Sequence, residues 1–153
     1  MKRTLFSPDE AKVLGNHFLL HPLVQKVEIF GSLSRNVLGH DFDMILIVSK
    51  ETSNLFFQYS LRKINFFKKL KKIFPPARFF MLGHSYSRQK ACEKLLGKKF
   101  MKKAERIVGE KYKIDLFLLP SNYREDPGKY QSKLPHINPK FMENLANDAK
   151  TLC

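Results

Sequence analysis

The sequence predicts an α/β (α+β) fold, about four strands flanked by helices, and two observations carry that expectation. Four short apolar runs bounded by turn residues, 25–30, 43–49, 77–82 and 112–119, have the length and composition of buried strands. The longer stretches 10–20, 52–74 and 87–108 repeat apolar residues every three or four positions, the period of a helix with one buried face. At 153 residues the chain fits one domain, 1–153, closing in a loop and a short helix over 120–153.

Taken in order, Ser7-Pro8-Asp9-Glu10 is a helix start: a serine to cap, a proline in the first turn and two acids beside the positive end of the helix dipole. The helix over 10–20 is expected to turn Val13, Leu14, Phe18 and Leu20 inward, and His21-Pro22 stops it. Strands over 25–30 and 43–49 follow. Within 52–74 the inward face is Phe57, Leu61, Ile64, Phe67, Leu70 and Phe74. Arg62 and Lys69, with Lys68, Lys71 and Lys72 nearby, make a basic side that reads as solvent-facing first and as a track for a phosphate backbone second.

Pro75-Pro76 ends that helix, and a strand over 77–82 runs to Gly83. One helix over 87–108 is expected to bury Cys92, Leu95, Leu96, Phe100, Ala104 and Ile107, with Gly97 weakening it by about 1 kcal/mol relative to alanine. Lys98, Lys99, Lys102 and Lys103 form its basic side. After the strand over 112–119 the composition turns polar, and 121–128 reads as a surface loop. Tyr123 and Tyr130, beside Arg124 and Lys129, are ordinary loop residues first and base-stacking candidates second. Asn138-Pro139 starts a terminal helix containing Phe141, Met142, Leu145 and Ala149.

Composition narrows the partners. Hydrophobic residues make up 43% and include 14 Phe but no Trp, so the core is expected to be rich in phenylalanine. Lys and Arg total 28 against 14 Asp and Glu, a formal charge of +14 that attracts polyanions and makes nucleic-acid contact from a basic surface a candidate. No apolar run reaches the roughly 20 residues of a membrane span. Met1-Lys2-Arg3 is followed by Thr4-Leu5-Phe6-Ser7-Pro8-Asp9-Glu10 in place of a long apolar signal core, so a cytoplasmic chain without membrane contact is expected. Cys92 and Cys153 are too few for a disulfide framework or a zinc site.

The chemistry is concentrated between two strands. Gly31-Ser32 closes the run 25–30, and Asp41-Phe42-Asp43 opens the next. Glycine lets backbone approach a phosphate, while the Ser32 hydroxyl, the amides after it and Arg35 can bind its oxygens. Asp41 and Asp43 lie two apart on a strand, hence on one face about 6–7 Å apart, where both can reach one cation. Asp115 is a lone acid in the apolar run Lys113-Ile114-Asp115-Leu116-Phe117, and an acid there asks for a cation. His40 precedes Asp41 and reads as a loop histidine.

In these residues the chain resembles the DNA polymerase β-like nucleotidyltransferase superfamily, and its minimal nucleotidyltransferases in particular. That family has a strand ending in Gly-Ser, then Asp-x-Asp opening the next strand, then a third Asp in a later one; here they match Gly31 and Ser32, Asp41 and Asp43, and Asp115. The match covers 24–49 and 112–119. The spacing departs from the family, because only Leu33 to His40 separate the two motifs. Arg35-Asn36-Val37-Leu38-Gly39 also looks like the Arg-Asp-x-Leu-Leu-Gly of tRNA nucleotidyltransferases, which leaves the subfamily open.

The resemblance implies a mixed sheet flanked by helices and two Mg2+ ions, or Mn2+, held by Asp41, Asp43 and Asp115. It implies an NTP donor, ATP first, bound by Gly31 and Ser32 with Arg35 beside them. The acceptor would be a protein or RNA hydroxyl, with pyrophosphate released. The competing expectation is a non-catalytic nucleic-acid-binding module that keeps the fold.

Overall fold

The computed structural model describes residues 8–31, 41–73, 83–109, 113–134 and 139–153. Among them the chain forms a mixed four-stranded sheet flanked by six helices. Helix α1, Pro8–Leu19, has Asp9 and Glu10 in its first turn and buries Ala11, Leu14 and Phe18. Val13 and Leu20, expected inward, are 58% and 77% exposed. On a 3.6-residue period both fall across the helix from the 11–14–18 stripe.

Strands β1, Lys26–Ile29, and β2, Asp41–Ile47, pair antiparallel, while β2 and β3, Lys113–Leu119, pair parallel. A parallel pair needs a long crossover. Helices α2, Lys50–Ile73, α3, Gly83–Leu96, and α4, Lys98–Val108, supply it. Ser49 caps α2 by accepting from the Thr52 amide at 3.2 Å. Thr52, Ser53, Phe56, Phe57, Ser60 and Ile64 are buried on α2, and Arg62 and Lys69 are exposed as expected.

One expected helix is in fact two. Gly97 stands between α3 and α4 with φ +101, a conformation closed to residues with a side chain, so the chain turns where a continuous helix was expected. Two histidines, His17 in the last turn of α1 and His21 just past its end, hold that junction. His17 Nε2 donates to the Phe100 carbonyl and His21 Nε2 to that of Leu96, each at 3.0 Å. The His17 ring also stacks on Phe100 at 4.1 Å. The turn leaves Ile107 37% exposed and buries Met101 in its place.

The end of the chain departs from expectation in two further ways. Residues 121–128 are not a plain loop: a 3-10 turn, Tyr123–Glu125, leads into α5, Pro127–Gln131, whose N-cap Asp126 accepts from the Lys129 amide. After α6, Phe141–Asp148, the backbone extends into β4, Lys150–Thr151, which pairs antiparallel with β1. The sheet order is therefore β3-β2-β1-β4. The run 77–82, expected as a strand, lies outside the described residues, as do Ser7, Phe74, Tyr112 and Asn138.

Both faces of the sheet carry buried apolar residues, which is why β2 and β3 read as near-continuous hydrophobic runs. Register divides the residues between faces. Asp43, Ile45, Asp115, Phe117, Glu28 and Phe30 share one face; Met44, Leu46, Leu116, Val27 and Ile29 share the other. On the first face Phe30, Phe117 and Phe141 of α6 meet at centroid distances of 5.4–6.3 Å. Such pairs each add about 0.5–1.5 kcal/mol beyond their buried area.

Candidate active site

The parallel register sets Asp43 directly opposite Asp115 on adjacent strands. Neighbouring strands are about 4.8 Å apart, and opposed positions share a face, so these two acids stand side by side at the same end of the β2–β3 pair. Asp41, two positions earlier on β2, is opposite Lys113 in the backbone ladder, and its side chain lies outside the described residues. Ser32, Arg35 and His40 lie outside them altogether. Among the described residues no three His, Cys, Asp or Glu side chains form a metal-holding group.

Gly31 completes the described part of the cluster. Its φ is +68, and a Cβ there would stand 2.9 Å from Asp43 Oδ2. A bare Cα is therefore required twice, by backbone conformation and by the carboxylate lying against it. The Phe30 amide bonds to the Asp43 carbonyl at 3.2 Å, which carries the β1–β2 ladder up to this turn.

The cation that Asp115 asked for is present within the chain. Arg88 of α3 donates from Nε at 3.3 Å and from Nη2 at 3.0 Å, both to Asp115 Oδ1. Its guanidinium lies over the Phe117 ring, 4.5 Å from the centroid. The side chains are 9% and 19% exposed for Arg88 and Asp115, so the pair is largely withdrawn from water. Both bonds go to one oxygen, and neither uses Oδ2.

Arg88 escaped the sequence reading, although a signal existed. It falls four residues before Cys92 on the buried stripe of α3, where a charge needs a partner just as Asp115 does.

Glu28 was missed for the same reason, a lone acid between Val27 and Ile29 on β1. It is buried and takes a 2.6 Å hydrogen bond from the Tyr123 hydroxyl, two from Arg124 at 3.0 and 3.2 Å, and Lys26 at 3.4 Å. Burial acts to raise its pKa, but the hydrogen bonds from Tyr123 and Arg124 and the Arg124 charge together outweigh it, leaving the carboxyl below its ordinary range. Burial and the Glu28 carboxylate push the Tyr123 phenol up. Tyr123 and Tyr130 are both buried, so neither is a base-stacking platform. Arg124 also donates to the Ala146 and Ala149 carbonyls at the end of α6, tying that helix to β1.

The remaining reactive groups stand apart from this face chemically. Cys92 is buried, and that burial pushes its thiol up, far from a nucleophile's range. Both cysteines are free. No described helix is long and apolar enough to cross a membrane. Comparison with protein-family models, with curated proteins and with solved structures finds no match to the chain.

Proposed function

We propose that the chain is a magnesium-dependent nucleotidyltransferase, moving an NMP group from an NTP, with ATP the first donor to test, to a hydroxyl of a protein or an RNA. The observation that carries this reading is the opposition of Asp43 and Asp115 beside a glycine whose Cα must stay bare. Carboxylate oxygens are the hard donors that Mg2+ takes alongside water and phosphate, so the described donor set fits that ion and Mn2+. Asp43 and Asp115, with Asp41 beside them in sequence, would hold the metal. Bound there, it would neutralise the triphosphate and the departing pyrophosphate.

The chain's own residues then divide the work. Gly31 admits the donor's phosphates to the backbone, with Ser32 and Arg35 the sequence neighbours assigned to bind them. In the reaction the acceptor oxygen bonds to the α-phosphorus and the bond to the β-phosphate's bridging oxygen breaks. Asp115 assists removal of the hydroxyl proton, and Arg88 keeps that carboxylate in one orientation. Position and charge stabilisation supply the rate.

The test is pyrophosphate release from each NTP with Mg2+ or Mn2+, in wild type and Asp43→Ala. Labelled NTP would mark a protein acceptor, and a lengthened oligonucleotide an RNA one. Turnover lost in Asp43→Ala supports the reading. Turnover unchanged in that variant, or absent with every NTP and acceptor class, overturns it.

A further inference from the structure

We propose that the cleft between α2 and α3 is a binding site for single-stranded nucleic acid. Its walls are Tyr59, Arg62, Lys63 and Phe66 of α2 with Lys90 and Lys94 of α3, around a space of about 280 Å³. None of these residues belongs to the sheet, so binding here does not require the reaction proposed at the acid cluster, although α3 also carries Arg88.

The charges sit on rings. Lys94 Nζ is 4.2 Å and Arg62 Cζ 5.8 Å from the Tyr59 centroid, Lys63 Nζ is 5.8 Å from that of Phe66, and Lys90 Nζ is 5.1 Å from that of Tyr86. One carboxylate, Glu93, takes Lys90 at 3.1 Å, and no acid is among the lining residues described. With Lys90 matched by Glu93, the like charges of Arg62, Lys63 and Lys94 are gathered across a helix–helix seam and repel one another. Two helices packed for stability alone would be better served by opposite charges there. A concave, one-signed surface with low-dielectric walls instead concentrates potential for a polyanion.

The rings select among polyanions. Phe66 is 52% exposed, so about half of its surface is open to solvent beside Lys63. A strand of unpaired nucleotides offers both what the cations take, phosphate, and what the rings take, base faces. An acidic peptide satisfies only the first, and a duplex keeps its base faces stacked inside. The volume is near the low end of ligand pockets, which suits one nucleotide unit seated at a time with the strand continuing outside.

The experiment is fluorescence anisotropy of the full chain with labelled 12-nucleotide oligo(U) and oligo(dT), both of which carry the required groups and are expected to bind. Arg62→Ala/Lys94→Ala is expected to raise Kd at least about tenfold. Lys99→Ala/Lys103→Ala, removing the same charge from α4, should raise it about twofold or less. Phe66→Ala should cost about fivefold or more and Phe66→Tyr should restore binding, because stacking needs only a ring. Thermal melts by circular dichroism confirm that each variant is folded, which the exposure of Phe66 favours. Equal loss from the α4 variant overturns the site, showing diffuse attraction instead. So does an unchanged Phe66→Ala, or displacement by polyglutamate of matched charge as effective as by unlabelled oligonucleotide.

Discussion

Arg88 places two hydrogen bonds on the same oxygen of Asp115 while its guanidinium covers Phe117 two residues along the strand. A single side chain thereby balances a largely buried charge and closes the face of the ring beneath the candidate site. Truncating one member of such a pair leaves the other charged and unsolvated.

Arg88→Met keeps the aliphatic stem and removes the charge. It is expected to lower stability by about 2–3 kcal/mol, seen as a reduced urea midpoint at constant m. If Asp115 is a metal ligand, millimolar Mg2+ should stabilise this variant more than wild type, because the released carboxylate takes the ion in place of the arginine. No difference in the Mg2+ response would count against Asp115 as a ligand, without any assay of turnover.

Gly31→Ala introduces a Cβ 2.9 Å from Asp43 Oδ2 at a φ of +68. The backbone term is about 1–2 kcal/mol, and the clash adds to it. In an Asp43→Ala background only the backbone term should persist. A double-mutant cycle is therefore expected to show a coupling of about 1 kcal/mol; strict additivity would mean that the carboxylate does not lie against the glycine in solution.

Acid should unfold the protein partly through Glu28. Its carboxyl is held below the ordinary value of 4.5, so its stabilisation is complete above that pH and is lost as pH falls through the depressed folded-state value. Wild type is expected to lose stability more steeply than Glu28→Gln between about pH 5 and 3. At neutral pH the substitution itself should cost about 2 kcal/mol through the hydrogen bonds to the charge. Tyr123, shifted the other way, contributes stability that is lost as pH rises above its ordinary value of 10.0.

The two residues after β4 rest on a glycine. A Cβ at Gly15 of α1 would come within 2.8 Å of Leu152 Cδ2 and 2.9 Å of Cys153 Sγ. Gly15→Val is expected to lift the C-terminal segment from β1, where the Leu152 amide bonds to the Val27 carbonyl at 2.9 Å. The Cys153 thiol should then react severalfold faster with a thiol reagent, while Cys92, fully buried, stays slow. Unchanged Cys153 reactivity would show that the segment tolerates the methyl groups.

How much of this was legible depends on the range of the interactions involved. The strands β1, β2 and β3 announce themselves locally, since each is an apolar run between turn residues whose side chains bury on both faces. The Arg62 side of α2 followed from period alone. Period misled at Val13 and Leu20, where apolar residues stand off the stripe that tertiary packing covers. It also carried an expected helix through Gly97, because a glycine can be merely tolerated or can turn the chain. Here the His17 and His21 bonds to carbonyls on either side accompany the turn.

By itself the sequence determined that this is an α+β chain with acids at the ends of two apolar strands, because local period and side-chain polarity dictate both. Tertiary structure alone decided that Asp43 and Asp115 share a register, that Arg88 is the partner of the second, and that the C-terminus adds the fourth strand. Each of those relations joins residues far apart in the chain. Strand register and charge pairing at such separation follow from how whole elements pack, and no local pattern encodes them.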